Sequence, residues 1–263
     1  MKIIVSGALG HMGREVLALA AEGVRGAEAV GGIDPMYGGG DAPVPCVRSF
    51  EEAFSHPVYG DAFRSADCIV DFSRHDAVGA LLEFARRTGM PAVIATTGHT
   101  DEENTLIREA AGEIPVFLAA NMSLGIALLI ELAKQAAAAM PEAEIEIIEK
   151  HHDRKLDAPS GTALKIADAI REVRPEAYPV TGRSGYRKRT ADEIGIHAVR
   201  MGNIVGEHEV IIGTPNQTIT LKHEAHSRAL FAEGALAAAS FLIGKPAGLY
   251  GMNDLVAKGK NGK

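Results

Sequence analysis

The chain has 263 residues, a length that suits two modest domains or one large domain. Apolar residues make up 46% and charged residues 23% of the sequence, which excludes a largely disordered chain. The net charge of −7 argues against a general nucleic-acid-binding protein, because such proteins are usually basic. Two cysteines do not form a disulfide framework, and neither a signal peptide nor a run of about 20 apolar residues is visible. We therefore expect a cytoplasmic protein that binds neither membranes nor nucleic acid.

The first half of the sequence alternates strand and helix patterns. The predicted strands are short apolar runs, at residues 2–6, 29–34, 68–72, 92–96 and 115–119. The predicted helices lie at residues 13–22, 76–87 and 102–111. Strands that alternate with helices predict a parallel sheet covered on both faces.

The pattern changes after Asn121. Helices are predicted at residues 124–139, 163–173 and 229–243, and strands at residues 144–150, 194–200, 207–212 and 218–223. The last three strands are separated by turns, which favours antiparallel pairing. The sequence therefore predicts an α/β protein with a Rossmann-like dinucleotide-binding domain over residues 1–122. An α+β domain with a mixed, largely antiparallel open sheet is predicted over residues 123–227.

A glycine-rich segment, GALGHMG at residues 7–13, follows the first strand and opens the first helix. Its G-x-x-G-x-x-G spacing is a variant of the dinucleotide fingerprint, in which glycine lets the backbone approach a pyrophosphate at a helix N-terminus. Asp34 ends the second strand, where an acid accepts hydrogen bonds from a ribose 2′-OH. A plain glycine-rich turn is the alternative, but the strand, helix and acid around the segment favour a cofactor site.

The choice between NADH and NADPH depends on the residues near Asp34. Its carboxylate would repel a 2′-phosphate, and no arginine follows it directly. Arg14 and Arg48 are the candidates that could hold such a phosphate instead. The sequence thus favours NADH and leaves NADPH open.

The segment HHDRKLDAPSGT at residues 151–162 concentrates chemically active side chains. A histidine can donate a proton near neutral pH, a lysine can pair with a carboxylate, and a Ser-Gly-Thr helix start can bind an anion. A metal site is a competing interpretation, but His151 and His152 are adjacent on a strand and point to opposite faces. We expect no metal. An ordinary solvated loop with a helix cap is the remaining alternative.

Several segments together resemble the dihydrodipicolinate reductase family. EKHHDRKLDAPSGTA at residues 149–163 is similar to the family signature E-x-H-H-x-x-K-x-D-x-P-S-G-T-A, and GALGHMG to its cofactor loop. ATTGHT and AANMSLGI resemble two nicotinamide-binding loops, at residues 95–100 and 119–126. Further similar blocks lie at residues 194–210 and 231–256, so that the resemblance runs nearly end to end.

This resemblance implies a function and a set of site residues. The chain would be an NAD(P)H-dependent enzyme that reduces 4-hydroxy-tetrahydrodipicolinate to tetrahydrodipicolinate in lysine and diaminopimelate biosynthesis. His151 would be the general acid and Lys155 a second proton donor that holds a substrate carboxylate. The residues that would bind the dicarboxylate substrate are His152, Ser160, Gly161 and Thr162. The residues that would bind the cofactor are Gly7, Ala8, Leu9, Gly10, His11, Met12, Asp34, Ala95, Thr96, Thr97, Ala119, Ala120, Asn121 and Met122.

The resemblance also implies a homotetramer joined through the second domain, with residues 228–263 returning to the dinucleotide-binding domain. One departure is Ala95, where the family commonly has glycine, because alanine fits only if the backbone φ is negative. Two other functions stay open: a different NAD(P)-dependent oxidoreductase for a small carboxylated substrate, and a non-catalytic dinucleotide sensor. The sensor would have no need for the histidines, the lysine and the Ser-Gly-Thr segment.

Overall fold

The computed structural model of the chain describes residues 1–261. The strands, in chain order, are β1 (Lys2–Ser6), β2 (Glu28–Ile33), β3 (Cys46–Val47), β4 (Cys68–Asp71), β5 (Ala92–Ile94), β6 (Pro115–Leu118), β7 (Glu144–His151), β8 (Tyr178–Thr181), β9 (Glu193–Arg200), β10 (Gly206–Thr214), β11 (Gln217–Ala225) and β12 (Gly248–Tyr250). The helices are α1 (His11–Ala21), α2 (Phe50–Ser55), α3 (Gly60–Arg64), α4 (Val78–Thr88), α5 (Asp101–Ala111), α6 (Leu124–Ala139), α7 (Gly161–Arg171), α8 (Ala229–Leu242) and α9 (Met252–Asn261). Two compact units are formed: Met1–Ser123 together with the chain from Arg228 onward, and Leu124–Ser227.

The first unit is built on a parallel sheet in the strand order β12-β6-β5-β4-β1-β2-β3. Successive residues of β1 point to opposite faces, so Ile3 and Val5 join one core cluster and Ile4 joins another. Helices α1 and α8 supply the first cluster, whereas α2, α4 and α5 supply the second. Both faces of the sheet are therefore buried, as a parallel sheet requires, and the predicted Rossmann-like fold is confirmed.

Helix α8 packs unusually close to the chain at Met122. A Cβ built on Gly234 would lie 1.7 Å from the Met122 carbonyl oxygen, so only glycine allows this approach. The following strand β12 then pairs with β6 at the edge of the sheet. The sequence predicted the helix but neither β12 nor α9. It predicted a loose polar tail from residue 259, whereas α9 continues to Asn261 and the last two residues of that tail lie outside the described residues.

The second unit contains a mixed open sheet in the order β11-β10-β7-β9-β8. Strand β10 is antiparallel to both β11 and β7, whereas β9 is parallel to both β7 and β8. Helices α6 and α7 bury one face of this sheet, where the isoleucines of β7 and β9 form the core. The predicted α+β architecture is confirmed. Strand β7 lies in the centre, between the later strands β9 and β10.

Among residues 1–261, no helix is both long enough and apolar enough to cross a membrane.

Candidate active site

In the first unit, the segments predicted to bind a cofactor follow the carboxyl ends of four parallel strands. Residues 7–10 follow β1, Asp34 follows β2, residues 95–97 follow β5, and residues 119–122 follow β6. Because these strands are parallel, their carboxyl ends lie at one edge of the sheet. This edge is where open α/β sheets bind their ligands.

Two glycines, Gly7 in the β1–α1 loop and Gly13 in the first turn of α1, are required by the packing of the backbone. Gly7 has a φ of +76°, and a Cβ there would lie 2.6 Å from the Phe72 carbonyl oxygen. A Cβ on Gly13 would lie 2.1 Å from the Gly7 carbonyl oxygen. Helix α1 is thereby brought directly against the loop, which is the close approach that a dinucleotide fingerprint provides.

The backbone N–H groups at the start of α1 define where an anion can bind. The Gly7 N–H donates to the Ile33 carbonyl, the Leu9 N–H to the Asp34 carboxylate, and the Gly10 N–H to the Gly7 carbonyl. The helical pattern begins where the Arg14 N–H donates to the Gly10 carbonyl, at 3.0 Å. The N–H groups of residues 11–13 therefore have no acceptor within the helix. They fit a pyrophosphate at the positive end of the helix dipole.

Asp34 lies at the end of β2 and is only 7% exposed. Its two carboxylate oxygens accept hydrogen bonds from the backbone N–H groups of Leu9 and Met36, each at 2.9 Å. These bonds fix the acid beside the glycine-rich loop. Of the two arginines considered for a 2′-phosphate, Arg14 donates from Nε to the Leu9 carbonyl, and Arg48 donates from Nε to the Tyr37 carbonyl.

The loop after β5 is held by a buried acid that the sequence interpretation did not include. Asp71, at the end of β4 and 1% exposed, accepts a hydrogen bond from the Thr96 hydroxyl at 2.7 Å. The Ala95 N–H donates to the Asp71 carbonyl. The φ angle of Ala95 is not positive, so alanine fits this loop without strain.

A cavity of about 430 Å³ lies along the loops that follow β4 and β5. The residues that line it are Phe72, Ser73, Arg74, His75, Ala95, Thr96 and Thr97. The segment at 72–75 was also missed from the sequence. The available signal was Asp71, an acid that ends a buried strand in the same way as Asp34. The loop after β6 is ordered by a turn in which the Ser123 N–H donates to the Asn121 side chain, and Met122 is buried.

In the second unit, three neighbouring strands bring polar side chains to one face of the sheet. His151 ends β7 and pairs in register with Arg200 of β9. Glu149, two residues earlier on β7, pairs in register with His208 of β10. Side chains two residues apart on a strand share a face, so this face carries a cluster of titratable groups. Glu149 is 0% exposed and His208 is 4% exposed.

Glu149 is the centre of this cluster. Its Oε2 lies 2.6 Å from the His151 Nδ1, and Arg200 donates to both carboxylate oxygens, at 2.8 and 2.7 Å. The Ser160 N–H donates to Oε1 at 2.9 Å. Burial alone would raise the pKa of the Glu149 carboxyl, but the hydrogen bonds that it accepts outweigh burial, so the pKa is lowered.

Both histidines of the cluster have a lowered pKa. Burial lowers the pKa of His151, and the charges of Lys155 and Arg200 lower it further, although Glu149 acts in the opposite direction. The ring of His208 lies 5.1 Å from the ring of His151, edge to face. Burial, followed by the proximity of His151, lowers the pKa of His208 to about 4. His208 is therefore uncharged at neutral pH.

Helix α7 begins beside the same cluster. The Ser160 hydroxyl caps it by accepting from the Ala163 N–H at 3.2 Å, and lies 3.1 Å from the His208 Nε2. A Cβ on Gly161 would meet nothing within 4 Å, so open space surrounds this first helical residue. The helix start thus presents its N–H groups and its dipole to an accessible position.

Lys155 is paired with an acid at this helix start. Its Nζ lies 2.7 Å from Asp157 Oδ1. The Asp157 pKa is lowered, first by the hydrogen bond from Lys155 and also by the Gly161 N–H. The carboxylate of Asp157 therefore contacts the two groups that were predicted to hold a substrate carboxylate. His152 follows β7, and its Nδ1 is buried without a hydrogen-bond partner among the described residues.

The structure thus gathers His151, Lys155, Ser160 and Gly161 in the second unit. Glu149, Arg200 and His208 belong to the same cluster but were not identified as site residues from the sequence. One signal was present: Glu149 occupies a core position of β7 that follows Ile145 and Ile147 in alternation.

The class of the protein follows from two features: a parallel sheet with a glycine-rich loop that fits a dinucleotide, and a unit that carries a histidine, a lysine and a helix start that can bind an anion. It is a pyridine-nucleotide-dependent oxidoreductase. Two family profiles match the chain: "Dihydrodipicolinate reductase, N-terminus" over residues 1–122 and "Dihydrodipicolinate reductase, C-terminus" over residues 125–256. The chain therefore belongs to the dihydrodipicolinate reductase family.

Individual relatives agree with this assignment. The 4-hydroxy-tetrahydrodipicolinate reductase of Caldanaerobacter subterraneus subsp. tengcongensis is 48% identical, covering 98% of this chain and 99% of its own. The enzyme of the same name from Clostridium novyi is 40% identical, covering 99% of each.

Solved structures extend the comparison to the fold. The dipicolinate-bound dihydrodipicolinate reductase from Paenisporosarcina sp. TG-14 has a TM-score of 0.78 at 27% identity, covering 97% of this chain and 98% of its own. A myo-inositol dehydrogenase from Corynebacterium glutamicum has a TM-score of 0.59 at 18% identity, covering 94% of this chain and 90% of its own. The second likeness concerns the fold alone.

Proposed function

We propose that the chain catalyses the NAD(P)H-dependent reduction of 4-hydroxy-tetrahydrodipicolinate to tetrahydrodipicolinate, a step of lysine and diaminopimelate biosynthesis. The observation that carries the proposal is the cluster at the end of β7 and the start of α7, in a chain that belongs to the dihydrodipicolinate reductase family. It combines a proton donor, a cation and a capped helix start within one segment.

The substrate side of the proposal is a dicarboxylate. Lys155 offers an ammonium group, and the start of α7 offers backbone N–H groups with a positive dipole. Asp157 contacts both groups in the structure, so we infer that it must release Lys155 when a substrate carboxylate binds. A relative has been solved with bound dipicolinate, a planar ring with two carboxylates, which supports this substrate class.

The reduction needs a hydride and a proton, and we assign them to different donors. The reduced nicotinamide, when bound, supplies a hydride to the ring carbon of the substrate. His151 supplies the proton that the reduced ring requires, as a general acid. The hydroxylated ring also loses water in the overall reaction. Lys155 and the helix start orient the ring, because alignment of the reacting atoms accelerates such a transfer strongly.

The lowered pKa of His151 has a consequence for this role. Burial disfavours the charged ring, so at any given pH less of the free enzyme carries a protonated His151 than an unburied histidine would. A bound dicarboxylate would add negative charge near this ring. We infer that substrate binding raises the pKa of His151 and so loads the acid when it is needed.

For the cofactor we infer a preference for NADH. Asp34 is buried and held by two backbone N–H groups, so its carboxylate cannot turn away from a ribose. A 2′-phosphate beside it would be repelled.

For the assembly we infer a homotetramer joined through the sheet of the second unit, whose outer face carries half-buried side chains such as Ile148 and Ile211. Light scattering on the purified chain measures this directly.

The two cysteines do not favour a reaction that needs a cysteine nucleophile. Both thiols, Cys46 and Cys68, are free and buried, and burial raises the pKa of each. A thiolate nucleophile needs the opposite shift. An acylating aldehyde dehydrogenase is therefore disfavoured.

The test is a coupled turnover assay. Purified dihydrodipicolinate synthase forms the unstable substrate in place from pyruvate and aspartate semialdehyde, and the oxidation of NADH and of NADPH is followed separately. We expect substrate-dependent oxidation, with a higher kcat/KM for NADH. Absence of oxidation with either cofactor, while the chain still binds NADH, would reject the proposed substrate.

A further inference from the structure

The buried acid Glu149 has exceptionally complete hydrogen bonding. Its Oε1 accepts from Arg200 and from the Ser160 N–H, and its Oε2 accepts from Arg200 and from His151. An ionised carboxylate has about four acceptor positions, so all of them are used. A buried charge is tolerated only when it is paired and hydrogen-bonded in this way. The position of the carboxylate is therefore fixed.

This arrangement determines which nitrogen of His151 carries a proton. Because Glu149 is ionised and acts only as an acceptor, the His151 Nδ1 must be the donor. In the neutral ring the proton then stays on Nδ1, and Nε2 is bare. In the charged ring, Nε2–H is the proton that can leave. A Cβ built on Gly206 would lie only 3.1 Å from this Nε2, so a glycine keeps the space beside it.

Arg200 controls the charge of the arrangement. An isolated carboxylate would stabilise the imidazolium and retain its proton. The bidentate guanidinium neutralises Glu149 and lies opposite His151 in register, so the ring is oriented without being locked in the charged form. The other charged or titratable groups that face this ring are Lys155 and His208, and His223 lies beyond His208.

The same carboxylate also positions the substrate side. Its bond from the Ser160 N–H holds the residue that caps α7, and the Asp157 carbonyl accepts from Arg200 at 2.6 Å. The acid and the anion-binding helix start are thus tied to one buried ion pair. A change in this pair would move both.

We propose that Glu149 and Arg200 are a positioning pair for the reduction: Glu149 holds His151 with Nδ1 protonated, so that Nε2 delivers the proton, and Arg200 cancels the charge of Glu149. The inference rests on the proposed function, because it assumes that His151 is the acid.

The first test is made on the wild-type chain, and a variant serves only to assign its signals. Long-range ¹H–¹⁵N correlation NMR on the full chain, with His151 assigned through H151Q, reports the tautomer of the neutral ring. We expect the proton on Nδ1. A neutral His151 that carries its proton on Nε2 would overturn the proposal.

The second test compares pH profiles of kcat for two variants. E149Q removes the carboxylate that favours the protonated ring, so the limb on which activity falls with rising pH moves to lower pH. R200Q leaves that carboxylate uncompensated, so the same limb moves to higher pH. We expect kcat of E149Q to fall about 100-fold, the scale of a general acid. R200K should move the limb part of the way back from its position in R200Q to its wild-type position.

A matched control lies on the same strand. Glu146 also pairs with a histidine, His197, at 2.8 Å, but on the other face of the sheet. E146Q should change kcat less than twofold and leave the pH profile in place. Binding of NADH to each variant shows that the chain is folded, and if E149Q does not fold, the tautomer measurement still decides.

The outcomes separate this inference from the proposed function. If H151Q is inactive but E149Q and R200Q shift the limb in the same direction, or not at all, the pair has a purely structural role and the inference fails alone. Full turnover by H151Q would remove the acid itself, and the assignment of His151 would fail first.

Discussion

Replacing Gly13 by alanine tests the close packing of α1 against the cofactor loop. The new Cβ would lie 2.1 Å from the Gly7 carbonyl oxygen and 2.8 Å from the Ala8 Cα. Both are backbone atoms, so the upper part of the usual overpacking cost applies, about 3 kcal/mol. Alanine is favoured over glycine inside a helix by about 1 kcal/mol, which acts in the opposite direction. The clash therefore prevails, with a net loss of about 2 kcal/mol.

The expected result is a fall in Tm of about 4–8 °C for the first unit, together with a Kd for NADH that rises about tenfold or more, since the loop must shift. The matched control is G79A in α4, where a Cβ would meet nothing within 4 Å. Only the propensity remains there, so its stability should rise by about 0.5–1 kcal/mol. Calorimetry and NADH titration measure both effects. A G13A chain as stable and as tightly binding as the wild type would refute the reasoning.

Three further predictions concern the site. For His151, kcat/KM should fall as pH rises through the pKa of the free enzyme, because the acid must be protonated. The midpoint of this fall should lie below the ordinary value of 6.5, because the pKa is lowered. A midpoint above 6.5 in a pH-rate profile would contradict the assignment. For Asp157, D157N should lower KM for the substrate, since Lys155 no longer has a competing carboxylate. The expected change is about 1.5- to fivefold, which corresponds to the energy of an exposed ion pair. An unchanged or higher KM would show that Asp157 does not compete. For Asp34, D34N should raise KM for NADH about tenfold, the scale of a lost charged hydrogen bond. It should also increase the ratio of kcat/KM for NADPH to kcat/KM for NADH. An unchanged ratio would show that another residue sets the preference.

The parallel sheet of the first unit could be predicted because its signals are local. Short apolar runs separated by helical periods predicted most of its strands, and the glycine spacing marked the loop after β1. Besides α9, the missed elements of this unit are β3, α2, α3 and β12, which have two, six, five and three residues. Segments of this length contain too few repeats for a period to be visible.

The question about Ala95 shows what only coordinates can answer. The sequence indicates that alanine replaces a common glycine, but it does not contain the φ angle. The structure shows that φ is not positive at this position, so the substitution carries no strain. The same holds for Asp34, whose burial and two backbone hydrogen bonds depend on a loop that the sequence describes only as glycine-rich.

The site of the second unit also contains residues that the sequence identifies and residues that only the structure identifies. Residues 151–162 could be identified as a group because the chain itself carries them from the end of β7 to the start of α7. Arg200 could not, since it reaches Glu149 only through the parallel register of β9 on β7. The sequence therefore identifies the candidate acid His151 but not the residues that control it. A histidine donates a proton usefully only when its tautomer and its charge are set. In the proposed mechanism both are set by Glu149 and Arg200, a buried pair from two strands, so that the pairing of β7 with β9 would serve the chemistry as well as the fold.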